Sequence, residues 1–523
     1  MRDIILFYLA FLILGFGIQK NKALGAAISF IGFLLAALDF VCLEIMGQHL
    51  DYTTLTRIDG TMLAMAPQVT PAYFYGGVIA VLLAAALHWL AYKKLSCHAA
   101  SANASENSNT IPTASEVVTE NNSSVSNADE IEDKNVTHNK YFPAILAVVA
   151  IACLFFSGTG TAYKNILLSA KEMKQSFSLS TEQILNKLGA QGAYIPLDKV
   201  TAQAGKNLVV IYCESLENNF LQNKAFADEV PHLNNLLEQG WHNYTNYHCL
   251  DGADWTVGAL YATQTGLPAY LGANSDTLFS GVRKTGAVSY AGVLAQAGYK
   301  NLLLSNGDMN FAGTGNIMNC FGYEVKGHDQ CPDGAKTVWG VHDYDLFRMA
   351  KAEYAKLAQG DKPFNLTLLT VDTHFPKGVP DKRMRPYVNE SVADSTHEFA
   401  LASLDYLLGN FVKFIKSQPN GENTVIVILG DHLLMGDFRH TTILKKFDNA
   451  PRRVALLTNK AIPDFTKAYE ITYYHLPHII LALAEVKHDA KFSADIFPQL
   501  SEKFVADNKE LFTSLNLKLN GMQ

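Results

Sequence analysis

The stretch NLVVIYCES, residues 207–215, places a continuous apolar run directly before a glutamate, Glu214. The run from 208 to 213 is short and rich in β-branched side chains, which predicts a strand buried on both faces. Two later stretches have the same form: FNLTLLTVDTH at 364–374 and TVIVILGDH at 424–432. Each ends in ionisable residues. Together the three stretches predict strands of one sheet whose ends carry the chemistry.

Amphipathic segments lie between these strands. Their periodicity predicts helices at 231–239, 287–297 and 391–416, another helix that ends near Phe321, and a further strand at 301–304. Strands and helices in alternation are typical of a largely parallel sheet covered on both faces. We therefore expect residues 205–523 to form an α/β domain with a central, mostly parallel sheet between helices.

The first third of the chain carries four apolar runs, at 4–18, 23–46, 72–92 and 142–163. A helix needs about 20 apolar residues to cross a bilayer, so the second and third runs are long enough and the other two are short. We predict three transmembrane helices within 1–94 and a fourth at 141–163. A secretory signal peptide is the alternative for the first run, but no clear small-residue cleavage site follows it.

The loops between these runs differ in their lysine content. Lysines stand at 20 and 22 and again from 93 to 140, and lysine-bearing short loops stay in the cytoplasm. This places the N-terminus and everything after residue 163 outside. The segment 95–140 is rich in Ser, Asn and Thr and predicts a disordered cytoplasmic loop, and 164–204 is expected to be a juxtamembrane connector. Asp39 and Glu44, in or near the second run, would contact the lipid, a neighbouring helix or the membrane interface.

Charge and cysteine content exclude some classes of protein. The formal net charge of −7 without a basic block argues against a nucleic-acid partner. The chain has seven cysteines, four of them in the outer domain. An oxidising compartment would allow a pair to close, and Cys320 with Cys331 is the first candidate; four buried free thiols are the alternative.

The carboxyl ends of neighbouring parallel strands meet at one edge of a sheet, where ligands bind. That edge would collect Glu214, the pair Asp372 and His374, and the pair Asp431 and His432. Each could instead cap a turn or a helix. Oxygen ligands with one imidazole suit manganese, magnesium or zinc and leave a position for a hydroxyl. We therefore predict a divalent metal site.

The stretch DGADWTVGALYATQTGLP, residues 251–268, offers that hydroxyl in Thr256, at the start of a predicted helix. One interpretation is that Thr256 or Asp254 caps this helix. The other is a nucleophile, because a metal lowers the pKa of a threonine hydroxyl and a helix N-terminus favours a phosphate beside it. His374 would then contact the phosphoryl group or donate a proton to the leaving oxygen, or else be a structural loop histidine.

Five segments follow one another in a fixed order: NLVVIYCESLENNF, GADWTVGALYATQTGLP, NGDMNFAG, FNLTLLTVDTHFP and VIVILGDH. In this series the chain resembles the metal-dependent phosphotransferases of the alkaline phosphatase and sulfatase superfamily, and among them the membrane-bound phosphoglycerol transferases. The resemblance covers the outer domain and extends loosely into the membrane part.

The resemblance implies a set of roles. The metal ligands would be Glu214, Thr256, Asp431 and His432, with manganese first and magnesium or zinc as alternatives. Thr256 would be the nucleophile and His374 the substrate-contacting catalytic histidine. Further substrate contacts would come from Trp255, Asn306 and Asp308. The donor would be phosphatidylglycerol and the acceptor a periplasmic glucan or other glycan, in a multi-pass protein of the bacterial inner membrane with its catalytic domain in the periplasm.

The sequence departs from two related families, and two alternative functions remain open. The lipoteichoic acid synthases look like cousins, but FAGTGN at 311–316 replaces their basic glycerophosphate contact, and the Cys-x-Pro-x-Arg signature of sulfatases is absent around residue 256. A phosphoethanolamine transferase acting on lipid A or a glycan would keep the enzyme class and change the donor. A membrane-tethered binding module without catalysis would keep only the fold.

Overall fold

The computed structural model describes residues 2–17, 22–46, 49–50, 71–106, 150, 154 and 157–522, apart from 193, 272–277, 376, 394–395, 436–441, 449, 464–469 and 498. The chain divides into two compact units. The first comprises 1–43, 48–50 and 71–164, and the second comprises essentially 165–523.

The N-terminal unit is helical. Its helices are α1 (Arg2–Gly17), α2 (Lys22–Met46), α3 (Pro71–Glu106) and the beginning of α4 (Gly158–Phe177). Within the residues that the structure describes, two spans are long and apolar enough to cross a membrane, Ala23–Leu43 and Phe74–Ala91. The prediction of four spans is therefore supported only for the second and third runs.

The first run is shorter than the prediction requires, and the fourth is not tested. Helix α1 has 16 residues, about 24 Å at 1.5 Å per residue, which is shorter than a hydrocarbon core of about 30 Å. Most of the fourth run, 142–156, lies outside the described residues. Helix α3 continues to Glu106, past the predicted end of the third span at 94, because its last turns are rich in alanine, the strongest helix former.

Asp39 is fully buried within the N-terminal unit. Its carboxylate accepts hydrogen bonds from Thr159 Oγ1 at 2.6 Å, the backbone N–H of Leu50 at 2.7 Å and His49 Nδ1 at 2.8 Å. These contacts tie α2 to neighbouring chain segments.

The second unit is built around a seven-stranded sheet. Its strands are β2 (Leu208–Cys213), β3 (His242–Asn243), β5 (Lys300–Ser305), β6 (Glu324–Lys326), β7 (Phe364–Leu369), β8 (Val425–Gly430) and β9 (Leu456–Thr458), in the order β3-β9-β8-β2-β7-β5-β6. Only β9 runs against its neighbours, so the sheet is mostly parallel, as predicted. Two-residue strands form two small sheets, β1 (Ala202–Gln203) with β11 (Lys487–His488) and β4 (Tyr247–His248) with β10 (Ile471–Thr472).

The central strands are apolar on both faces because helices cover both. Along β2, Leu208, Val210 and Tyr212 pack into one core, and the alternate side chains pack into the other. Every residue of β2, β7 and β8 is buried. The continuous apolar runs in the sequence are the consequence of this two-sided burial.

The helices of the second unit, after α4, are short except for two. They are α5 (Thr181–Lys187), α6 (Pro231–Glu238), α7 (Thr256–Thr265), α8 (Tyr290–Gln296), α9 (Thr314–Cys320), α10 (Asp343–Ala358), α11 (His397–Ser417), α12 (Leu476–Leu483), α13 (Ser493–Ile496), α14 (Glu502–Asp507) and α15 (Lys509–Leu519). The long predicted helix starts at 397 rather than 391, because the Thr396 side chain accepts the N–H of Phe399 and caps it there.

The predicted bridge between Cys320 and Cys331 is wrong in this structure, where both thiols are free. Cys331 is buried, and its sulfur lies 3.3 Å from Nη2 of Arg348. Burial raises the pKa of the Cys331 thiol. The alternative, free thiols, also holds for the buried Cys213 and the half-buried Cys249.

Candidate metal centre

Two adjacent strands deliver the predicted ligands to one edge of the sheet. Cys213 of β2 pairs with Gly430 of β8, so Glu214 and Asp431, the next residues, emerge side by side. Candidate ligand atoms of Glu214, Asp431 and His432 all lie within 4.8 Å of one another, and all three residues are buried. The prediction that the two strand ends converge is confirmed.

Hydrogen bonds orient each of these side chains. Asp431 Oδ1 accepts the backbone N–H groups of Ser215 and His432, each at 2.8 Å. His432 Nδ1 donates to the carbonyl oxygen of Leu433 at 2.9 Å, which leaves Nε2 with its lone pair toward the centre. Ser215 Oγ donates to Glu214 Oε1 at 2.6 Å. Ser215 itself has φ = 54°, a strained conformation of the kind that clusters at functional sites.

The residues present fit a divalent cation. Asp431 Oδ2 is buried, accepts no hydrogen bond from the described residues and lies 3.4 Å from His432 Nε2. A buried carboxylate oxygen without a donor is costly unless a positive charge is supplied. Two carboxylates and one imidazole within 4.8 Å form a donor set of the type that manganese, magnesium or zinc accepts.

Thr256 is the first residue of helix α7, and its side chain does not cap the helix. The N-cap position is held by Trp255, which makes no side-chain cap hydrogen bond. Thr256 Oγ1 instead lies 3.4 Å from Glu214 Oε2 and 3.4 Å from His432 Nε2. The capping interpretation of Thr256 is therefore wrong, and the threonine hydroxyl faces the candidate metal ligands.

The ionisable side chains of this buried centre shift one another's pKa. Burial and, after it, the neighbouring Glu214 carboxylate raise the pKa of the Asp431 carboxyl to about 7. For Glu214, burial also raises the pKa, but the charges of His432 and His374 outweigh it and the net pKa is lowered. Burial lowers the pKa of His432, whereas the two carboxylates raise it, with a net rise. A cation held here would offset the repulsion between the Glu214 and Asp431 carboxylates.

His374 follows β7, the strand next to β2, and approaches the same edge. Its Nδ1 donates to the carbonyl oxygen of Phe375 at 2.7 Å, which leaves Nε2 for another partner. The indole of Trp339 packs against the imidazole, with ring centroids 4.0 Å apart and the ring planes tilted by 34°. Because the charge of His374 influences Glu214, the histidine belongs to the electrostatic environment of the centre. Trp339 was not anticipated, because a single aromatic residue in a loop carries no pattern.

The other predicted substrate contacts occupy different positions. Asn306 is fully buried, and its amide donates to Val341 O at 2.9 Å and to Asp343 Oδ1 at 2.7 Å, which is a supporting role. Asp308 is exposed, and Oδ1 accepts the N–H of Asn310 within its own loop. Trp255 is half-buried against the core, where Gly258 gives its indole room, since a Cβ there would lie 2.5 Å from Nε1.

Asp372, which was grouped with the ligands at the strand ends, does not join the cluster. Its carboxylate oxygens each lie 3.0 Å from Nδ1 of His342, and Oδ2 also accepts the N–H of Asp343. Burial raises the pKa of Asp372, although its hydrogen bond to His342 opposes the rise. This pair supports the loop that carries His374.

A second histidine was missed by the sequence reasoning. His397, at the start of α11, is buried, and its Nδ1 has no hydrogen-bond partner among the described residues. Burial lowers its pKa to about 4, although the Glu214 carboxylate raises it. His397 therefore lies near the centre as a neutral imidazole. No spacing signal in the sequence connects it to the other site residues.

With this geometry established, the chain can be compared with known proteins. Residues 206–453 match the model of the sulfatase family. The matched range contains Glu214, Thr256, His374, Asp431 and His432, so every residue of the candidate centre lies within the part of the chain that is similar to this family.

Curated relatives carry a more specific name. The chain is 30% identical over 239 residues to phosphoglycerol transferase I of Xanthomonas euvesicatoria, which covers 44% of the chain and 34% of the relative. The protein of the same name from Citrobacter koseri is 29% identical, with coverage of 44% and 31%. The chain thus matches about a third of the length of these relatives. Among solved structures, the lipoteichoic acid synthase LtaP of Listeria monocytogenes matches with a TM-score of 0.46 at 15% identity, covering 65% of this chain and 82% of that one.

Proposed function

We propose that the chain is a phosphotransferase that moves phosphoglycerol from phosphatidylglycerol to a glycan outside the cytoplasmic membrane, through a covalent adduct on Thr256. The observation that carries the proposal is the position of Thr256 Oγ1, 3.4 Å from both Glu214 Oε2 and His432 Nε2. The hydroxyl of Thr256 does not cap its helix and faces a cluster that could hold a cation, which supports a role as nucleophile. The name of the curated relatives supports the choice of transferred group.

The reaction is a double displacement. In the first step Thr256 Oγ gives up its proton and bonds to the phosphorus, the bond from phosphorus to the diacylglycerol oxygen breaks, and the proton lost by the threonine is taken up by that oxygen. In the second step a glycan hydroxyl oxygen bonds to the same phosphorus, the bond to Thr256 Oγ breaks, and the hydroxyl proton returns to the threonine. Neither step consumes a further reactant.

The side chains of the centre have separate roles in these steps. Glu214, Asp431 and His432 hold the divalent cation, for which we propose manganese, with magnesium or zinc as alternatives. The bound cation supplies positive charge that lowers the pKa of the threonine hydroxyl. Nε2 of His374 holds the proton that passes to the leaving oxygen, since Nδ1 is engaged with Phe375 O. The N–H groups at the start of α7 face the transferred phosphate.

The donor lipid implies a location at a membrane. The two candidate spans, Ala23–Leu43 and Phe74–Ala91, would hold the protein there as a multi-pass protein of the bacterial inner membrane. We propose that the domain that is similar to the sulfatase family lies on the periplasmic side, where a periplasmic glucan would be the acceptor. Tethering to the bilayer raises the local concentration of the donor lipid.

The test is a donor assay with the purified full chain. Vesicles that contain labelled phosphatidylglycerol are incubated with the protein and manganese, magnesium or zinc, with and without a β-glucan, and diacylglycerol is measured. We expect diacylglycerol release that depends on the cation, and label on the glucan. Absence of release with every cation would exclude phosphatidylglycerol as the donor. Release only from phosphatidylethanolamine vesicles would identify a phosphoethanolamine transferase instead.

A further inference from the structure

A polar cleft of about 660 Å³ opens between the segment that follows β2 and the segment that precedes β9. Its lining includes Asn218, Gln222, Lys224, Thr245 and Arg453. These side chains offer amides, a hydroxyl and two cationic groups, and the residues that line the cleft include no carboxylate. The roles assigned to the metal centre use none of them.

The walls of the cleft are held in place by hydrogen bonds of their own. The Asn219 side chain accepts the N–H of Arg453 at 3.0 Å and donates to the carbonyl oxygen of Pro451 at 3.1 Å. Asn223 Nδ2 donates to Asn219 O at 3.0 Å. The backbone N–H of Asn218 donates to Arg453 O at 2.8 Å. The two walls are therefore joined to each other, and the cleft exists before any ligand binds.

A buried ion pair connects the cleft to the metal centre. Glu217, three residues after Glu214, is fully buried and pairs with the guanidinium of Arg452. Glu217 Oε1 also accepts the N–H of Leu434, two residues after His432, at 3.1 Å. The segment that follows β2 thus carries the metal ligand Glu214 at its start and lines the cleft from Asn218 onward.

The cleft presents polar groups that the protein does not use. The side chains of Gln222, Lys224 and Thr245 are exposed and make no hydrogen bond or ion pair within the part of the chain that the structure describes. Gln222 has φ = 52°, and its backbone N–H is held by Asn234 Oδ1 at 2.8 Å, so its position is fixed despite the strain. Asn218 Oδ1 is buried without a partner among the described residues.

This chemistry selects a hydroxyl-rich ligand that carries a phosphodiester. Amide and hydroxyl groups pair with sugar or glycerol hydroxyls, and Lys224 with Arg453 attracts an anion. Two sources share that chemistry, namely the glycerol headgroup of the donor lipid and a glycan that bears phosphoglycerol. The volume falls in the range of roughly 300–1,000 Å³ typical of sites for whole small molecules, which is more than a glycerol headgroup requires.

We infer that the cleft is the acceptor subsite, which binds the glycan chain beside the metal centre. The inference rests on the proposed function, because it assigns the acceptor of that same reaction. Lys224 and Arg453 would also bind the product, since each transfer adds one negative charge to the glycan.

The experiment compares the wild type with the double variant Gln222→Ala/Lys224→Ala in the full chain. The matched control is Gln359→Ala/Lys362→Ala, the same exposed residue types just before β7, at the opposite edge of the sheet. Three quantities are measured: the KM for a β-glucan oligosaccharide, diacylglycerol release without acceptor, and the Kd of the oligosaccharide by calorimetry. We expect the cleft variant to raise KM and Kd about tenfold, a change of about 1.4 kcal/mol, and to leave acceptor-free release unchanged. The control should match the wild type in all three.

The outcomes separate the inference from the proposed function. Unchanged KM and Kd in the cleft variant, with normal donor cleavage, would overturn the acceptor subsite and leave the phosphotransferase intact. A loss of acceptor-free release with normal glucan binding would assign the cleft to the lipid headgroup instead. Absence of diacylglycerol release from the wild type would overturn the proposed function, and the calorimetric comparison would still test the glycan site.

Discussion

Replacement of Thr256 by alanine should remove the enzymatic activity and leave the stability of the fold nearly unchanged. A capping threonine would cost about 0.5–2 kcal/mol when changed to alanine, but Thr256 does not cap α7. Its two polar contacts, both at 3.4 Å, are longer than the usual range for strong hydrogen bonds. We therefore expect the free energy of unfolding of Thr256→Ala to change by less than about 1 kcal/mol. Diacylglycerol release should fall by about 10⁴-fold or more, as for other nucleophile deletions.

Thr265, at the other end of the same helix, provides the control. Its hydroxyl donates to Tyr261 O at 2.8 Å and accepts the N–H of Leu267 at 3.1 Å, and the residue is buried. Thr265→Ala should lower the free energy of unfolding by about 1–3 kcal/mol and leave the activity of the folded protein near that of the wild type. Thermal unfolding and donor cleavage are measured for both variants. The reasoning is refuted if Thr256→Ala cleaves the donor within tenfold of the wild-type rate, or if it is the less stable variant.

Three further predictions concern the supporting structure. Glu217→Gln removes the charged partner of the half-buried Arg452 and should lower the free energy of unfolding by about 1–3 kcal/mol in chemical denaturation; no measurable loss would contradict a stabilising role of the pair. Burial raises the pKa of Asp405 to about 7 from 3.8, so between pH 5 and 8 the wild type should lose about 2–3 kcal/mol of stability relative to Asp405→Asn, and a constant difference between the two proteins would contradict this. Because Cys320 and Cys331 are free, a reductant should leave the melting temperature unchanged, whereas a fall would indicate a bridge.

The sign of the Asp405 effect follows from proton binding. The folded protein keeps a proton on this carboxyl up to about pH 7, whereas the unfolded chain releases it near 3.8. The folded state therefore binds more protons between these values, and stability falls as the pH rises through that window. Two backbone N–H groups at the start of α6 donate to the carboxylate and oppose the rise in pKa, but burial prevails.

The central strands could be predicted to within about two residues, whereas the short edge strands could not. A strand buried on both faces must be apolar throughout, so β2 and β8 leave a signal in the sequence that does not depend on their neighbours. The strands β3 and β9 have two and three residues, and their pairing depends on the finished sheet. The fourth apolar run lies largely outside the described residues, so the predicted number of spans is not tested there.

The residues of the candidate centre that the sequence predicts most directly are those that follow a buried strand. Glu214, Asp431 and His432 follow buried strands, and such residues lie close together because the carboxyl ends of parallel strands meet at one edge of the sheet. His397 could not be found in this way, because its burial near Glu214 results from the packing of α11 on the sheet. The disulfide prediction failed because spacing along the chain carries no information on the distance between two thiols.

Mass spectrometry of the covalent adduct tests the central claim most directly. The full chain is incubated with phosphatidylglycerol vesicles and a divalent cation in the absence of acceptor, quenched with acid and digested. We expect the peptide that contains Thr256 to gain the mass of one glycerophosphoryl group, to lose it when a β-glucan is added before the quench, and to show no gain when a chelator is present. Donor cleavage at the full rate without an adduct on Thr256, or with the adduct on another residue, would contradict the account.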